Sequence, residues 1–176
     1  MGISSNPSNT NLAQANKFLL AFDRLPSLTY FCTAVNFPGV SVPSATQITP
    51  LSDAPVPGDK LIYDDLKITF LVDEALMSWT TLLDWIRGYS FPETTEQYKN
   101  LPLQQRIQLG NNNKPQYSDA IITAYSNKNN PVLQIHFTDL FPTALSELSF
   151  STQQSAEHIM TADVNLKYTN YEILRF

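Results

Sequence analysis

The sequence is poor in the residues that carry out chemistry. It holds one cysteine and two histidines, His136 and His158, too few for tetrahedral zinc sites built from His and Cys ligands. Its five glycines are scattered, which removes a phosphate-cradling loop, and no G-x-S-x-G elbow presents a serine. With Cys32 as the single thiol, no disulfide can close within the chain. In the apolar run LTYFCTAV that thiol reads as buried and free in a strand, a weak pointer to a reducing compartment. No apolar stretch approaches a membrane span, and the polar start MGISSNPSNTNLAQ is unlike a signal peptide. The chain reads as soluble and made in a cytoplasm.

Charge is also sparse, at 15% of residues with a net value of −5, below the usual share for soluble proteins. No cluster of Lys and Arg occurs, which argues against binding nucleic acid through its phosphates. The chain is 43% hydrophobic and 11% aromatic over 176 residues, enough for one packed domain with appendages.

The remaining candidates for chemistry are thin. Asp64-Asp65 and Asp73-Glu74 are adjacent acids, but strand neighbours point to opposite faces, whereas glycosidase carboxylates flank one bond. A Cys32–His136 nucleophile–base pair has no supporting motif, and His136 reads as a surface or interface side chain. Tyr117-Ser118-Asp119 and Tyr125 are what a carbohydrate-binding sandwich would need, if exposed on loops. The expectation is a protein that is not an enzyme and has no metal or cofactor.

What the chain does have is a long proline-punctuated stretch, PSATQITPLSDAPVPGDKLIYDD (Pro43–Asp65). Proline lacks a backbone donor and fixes φ, so this is neither a helix nor a central strand. Connections of this length are usually functional or disordered. Two readings stay open at this point: a floppy surface loop, or an arm that orders against something outside its own domain.

Around it the periodicities are clearer. Met1 to Ala15 is a polar tail. Asn16–Asp23 and Ser27–Val35 read as two strands joined by a turn at Arg24-Leu25-Pro26. Leu66, Ile68, Phe70 and Val72 alternate as one buried strand face. From Asp73 the period becomes helical: Leu76, Trp79, Leu82, Leu83 and Ile86 form the buried stripe, with Trp85 to its side. Asp73 suits the N-cap and Gly88 the stop, giving a helix over 73–88. Residues 94–115 read as an irregular insertion interrupted by Pro102. Tyr117–Ser126 and Pro131–Asp139 read as a hairpin across SNKNNP. Glu147–Gln153 reads as a short strand, and Ala162–Ile173 as one strand. About six or seven strands and one helix give a mainly β fold of two packed antiparallel sheets, a sandwich or small barrel with a flanking helix.

The order of these pieces resembles a known family. TAVNFPGVSVP leads into PVPGDKLIYDDLKITFLVDEALMSWTTLLDWIRG. YSDAIITAY and LQIHFTDLFPTALSELSF follow, then VNLKYTNYEI. Over Asn16–Ile173 this is similar to the tail tube proteins of contractile-tailed bacteriophages, relatives of type VI secretion tube proteins. Its most specific part is Gly58–Gly88, where a D-D-[LW]-x-[IV]-T-[FV] strand meets a D-E-A helix ending in Asp84-Trp85.

The resemblance implies a structural virion protein in hexameric rings, stacked helically into a tube within a contractile sheath. DNA would leave through the lumen without specific binding. Partners would be further copies of the chain, the sheath protein and the baseplate tube proteins, with no membrane. The leading expectation is the repeating tube subunit, and the alternative is the baseplate-proximal initiator ring. In this reading Pro43, Pro50, Asp53, Pro55, Pro57, Gly58, Asp59 and Lys60 belong to an inter-subunit arm over 43–60. Lys67, Thr69, Asp163, Asn165, Lys167 and Thr169 are candidates to face the lumen. An acidic wall would repel DNA; the lysines run against it.

Overall fold

The computed structural model describes residues 14–23, 25–48, 50–90, 117–153 and 159–176. The polar tail to residue 13, the insertion over 94–115 and His158 lie outside them.

Two antiparallel layers enclose one core. The first is built from β1 (Phe18–Phe22), β8 (Ser118–Tyr125), the first two-thirds of β9 (Pro131–Leu145) and β11 (Asn170–Arg175). The second contains the end of β9, then β10 (Thr161–Lys167), β7 (Leu66–Leu71) and β2 (Cys32–Val35). Each layer turns its alternate apolar residues inward. Leu20, Phe22, Ile122, Ile135 and Phe137 from the first meet Leu66, Ile68, Phe70, Val164 and Leu166 from the second. Leu66, Ile68 and Phe70 are on the face that the alternation in the sequence marks out. The β8–β9 hairpin also forms as expected, with Asn129 at φ 61° in its turn, a conformation asparagine tolerates better than most residues.

Two stretches of chain belong to both layers. β9 runs straight through from one to the other, and it bends at Asp139, whose φ of 55° lies in the left-handed region. The amide of Asp139 donates to the Asp119 carboxylate at 3.1 Å, which holds the kink. The residues expected as a single strand over Ala162–Ile173 also cross, and in crossing they break into β10 and β11 around Tyr168-Thr169. A straight strand cannot pair with two layers at once, so the chain must bend where it changes partner. FPTAL continues β9 to Leu145; an irregular register between Asn165 and Leu166 accommodates Pro142.

Other local expectations fail for identifiable reasons. Ser27–Val35 is not one strand: Pro26–Phe31 is a short helix, α1, and only Cys32–Val35 is extended. Pro26 occupies the first turn, where its missing donor does no harm, and Leu25 and Leu28 are buried in the core. This helix separates β1 from β2, which consequently lie in different layers instead of forming a hairpin. Glu147–Gln153 has no strand.

The long helix, α2, spans Met77–Ser90 and not 73–88. Asp73 does cap it, but from a preceding turn: one carboxylate oxygen accepts the amide and hydroxyl of Ser78, the other the amide of Met77. Gly88 is helical and buried, so it is no stop. The buried stripe is Ser78, Leu82, Trp85 and Gly88, rotated from the expected one. Trp79 is half-buried and donates its indole N–H to the Ser146 carbonyl at 3.1 Å. Trp85, expected at the side, is instead 2% exposed, edge-on to Phe22 at 6.1 Å. Replacing it should leave a large void between the helix and β1. Trp85→Ala is expected to cost about 3–5 kcal/mol, read as a lower denaturation midpoint in urea.

Candidate assembly interface

The proline-rich stretch does not run as single extended chain. It folds back on itself as a two-stranded ribbon that leaves the body between β2 and β7. At its base β3 (Val40–Ser41) pairs with β6 (Ile62–Tyr63), and further out β4 (Ser44–Gln47) pairs with β5 (Ala54–Pro57). A two-stranded ribbon has only edge strands, which is where proline is tolerated, so Pro55 and Pro57 can lie within β5. Pro43 and Pro50 flank β4, with Pro50 and Asp53 beside the tip. Gly58 closes the ladder: its amide donates to the Pro43 carbonyl at 2.8 Å. An added Cβ there would lie 2.5 Å from that same oxygen, so the two strands approach too closely for a side chain. Asp59 and Lys60 are exposed just inside it.

Every residue of β4 and β5 is exposed. The ribbon carries apolar side chains into solvent, with Ile48 85% and Leu51 98% exposed near its tip, and Val42, Val56 and Leu61 exposed closer to its base. An isolated two-stranded hairpin is marginal in water, and contiguous exposed apolar surface marks interaction sites.

The candidate lumen residues also fall together, with one exception. Lys67 pairs with Asn165 and Thr69 with Asp163 across the β7–β10 ladder, and the Thr69 hydroxyl donates to Asp163 at 2.6 Å. Their strand neighbours Leu66, Ile68, Phe70, Ala162, Val164 and Leu166 are buried on the opposite face. With Lys167, these five therefore point away from the core on one polar face of the second layer. Thr169 lies beyond it, in the crossing to β11, where its amide bonds to the Thr138 carbonyl. Against Asp163 the face sets Lys67 and Lys167, so it is not an acidic wall.

The weaker candidates are absorbed into structure. Tyr117 packs edge-on against Phe141 and Ser118 is buried, so they are not a loop platform for sugars. Asp73 is occupied as a cap, and Asp64 sits at the foot of the ribbon. Cys32 is in the second layer and His136 in the first, between Ile121 and Glu172. No group of three or more His, Cys, Asp or Glu side chains is placed to hold a metal ion among the described residues.

The comparisons with known proteins now bear on this arrangement. A family model described as phage tail tube protein matches residues 5–174. The chain belongs to that family. The tail tube terminator protein of Enterobacteria phage T4 is 25% identical over 172 residues, covering 93% of this chain and 89% of the relative. The fold of this tail tube family member is that of a chain in the tube terminating cap of the anti-feeding prophage. The TM-score is 0.64 at 13% identity, over 100% of both chains. A chain of the sheath-tube complex of the extracellular contractile injection system PVC also gives 0.64, at 12% identity, over 98% of this chain and 100% of that one. The sequence missed the pairing of the arm with itself; the signal was present in Pro43 and Gly58, fifteen residues apart by number and matched as a closing pair.

Two titrations follow. Burial pushes the Cys32 thiol up to about 11, so its alkylation at neutral pH should run roughly a hundredfold slower than that of an exposed thiol, as timed with iodoacetamide. Tyr168 is pushed up to about 12 from 10.0 by burial first, then by Tyr171, Tyr63, Asp64 and Asp65. Its folded-state value is raised, so the stability it contributes is complete below about 10 and is lost as pH rises towards about 12. Ultraviolet tyrosinate absorbance should show this late step, and Tyr168→Phe should remove it.

Proposed function

We propose that this protein forms a ring that ends the tail tube of a contractile phage. Copies associate into a hexameric ring, the ribbon of each engages a neighbouring subunit or the adjoining tube ring, and DNA leaves through the lumen. The polar outer face of β7 and β10 turns towards that lumen. The observation that carries the terminating role is the near end-to-end likeness to the T4 tail tube terminator protein. The likeness in fold to the anti-feeding prophage cap chain supports it.

The ribbon supplies the physical reason for assembly. Its apolar side chains gain burial only against another surface, at roughly 25 cal/mol per Å² covered. Its proline-stiffened strands lose less conformational entropy on docking than a flexible loop would.

The repeating tube subunit remains the second reading, favoured by the equal likeness to the sheath-tube complex chain. Electron microscopy of the purified protein, alone and with tube subunits from the same virion, separates the two. A terminator should form rings that do not elongate alone and that cap tubes. Long hollow filaments of the protein alone would assign it to the repeating subunit. Monomers at high concentration that leave tubes uncapped would overturn both. Deleting Ser52–Gly58 should abolish capping; capping that survives the deletion removes the arm from the interface.

A further inference from the structure

The ribbon is attached to the body at an unusual place. Its inner strand β6 ends on Tyr63, and this ring meets Tyr168 at 5.8 Å and Tyr171 at 5.3 Å between centroids. Tyr168 belongs to the crossing from β10 to β11 and Tyr171 to the start of β11, and both rest on the buried Phe137 of β9, at 5.0 and 5.8 Å. Two hydrogen bonds join the same partners. The Tyr63 hydroxyl donates to the Asn170 side-chain oxygen at 3.2 Å, and the Tyr168 hydroxyl donates to the Asp64 carbonyl at 3.0 Å. On the other side of the ribbon, the Asp64 amide donates to the Gly39 carbonyl at 3.0 Å.

From this we infer that Tyr63, Tyr168 and Tyr171 lock the ribbon to the strand crossing, so that the two move as one rigid body. Without such a lock, a two-stranded ribbon joined to a domain by two short connections would swing about its base. With it, the direction of the ribbon is set by the corner between the two layers. Reciprocally, a partner that displaces the ribbon acts directly on the chain crossing. The cluster consists of aromatic contacts that favour tilted and edge-on geometry, with the Tyr63 and Tyr168 hydroxyls satisfied. It resists rotation about the base better than apolar contact alone. These tyrosines are positioning residues: they act on a partner only through the ribbon.

The inference deepens the reading of the ribbon as an assembly element, and its test uses the isolated chain, so failure here is distinct from failure to assemble. Spin labels at Leu51→Cys near the tip and Lys128→Cys in the β8–β9 turn, in a Cys32→Ser background, report the tip-to-body distance. The expected result is one narrow distribution, broadened in Tyr63→Ala/Tyr168→Ala while amide protection of β8 and β9 is unchanged. A parent as broad as that variant, or a variant as narrow as the parent, would overturn the inference. If the alanine pair loses β8–β9 protection, Tyr63→Phe/Tyr168→Phe decides. Loss of both hydroxyl bonds should speed amide exchange at Ile62–Asp64 by on the order of tenfold and widen the distribution. Indistinguishable exchange and width would sink the idea.

Discussion

The structure depends on one constraint: the same polypeptide must pair in two sheets that face each other across a single core. β9 satisfies it by bending at Asp139, and the β10–β11 stretch by breaking at Tyr168-Thr169. Each crossing is held by a bond across the bend, from the Asp139 amide to Asp119 and from the Thr169 amide to the Thr138 carbonyl. Because both layers share these strands, neither can drift relative to the other without breaking a ladder. The long hydrophobic faces stay opposed, and α2 closes the core with Leu82 and Trp85.

This arrangement explains why some features were legible in the sequence and others were not. One-face alternation in β7 is a local signal, and it was sufficient because burial on one side of a strand imposes a period of two. The existence of α2 was equally clear, but its rotation was not. Apolar residues surround much of that helix, so Trp79 and Trp85 compete for the inward position, and contacts from elsewhere settle it: Phe22 for Trp85 and the Ser146 carbonyl for Trp79. α1 was missed because Thr29, Tyr30 and Phe31 are strand formers by composition, while Pro26 and the burial of Leu25 and Leu28 favour a helical turn. The crossings were invisible for a related reason. A strand that changes partners midway has the same alternation before and after the change.

The candidate interface divides along the same line. That Pro43–Lys60 is neither a helix nor a central strand could be read from proline alone. That it pairs with itself depends on contacts between residues far apart in sequence, closed by a glycine whose role only the approach of Pro43 reveals. The outward face of β7 and β10 was named residue by residue from alternation, and five of its six members share it. Thr169 was assigned by extending a period through the point where the strand breaks.

The distribution of stability follows from the crossing. The body draws on a continuous core in which Leu66, Ile68, Phe70, Leu82 and Leu166 are all fully buried, whereas the ribbon has two short ladders and no core of its own. Local opening should therefore be easy in the ribbon and hard in the sheets. On the proposed reading, the difference suits a component that docks through its ribbon. A ribbon made stable by its own core would have no apolar surface left to bury against a partner. A ribbon with no fixed root would lose orientational freedom as well as its exposed surface on docking. On the proposed reading, placing Tyr63 against a strand crossing resolves the conflict: the ribbon keeps apolar surface to bury on docking while its direction is already set.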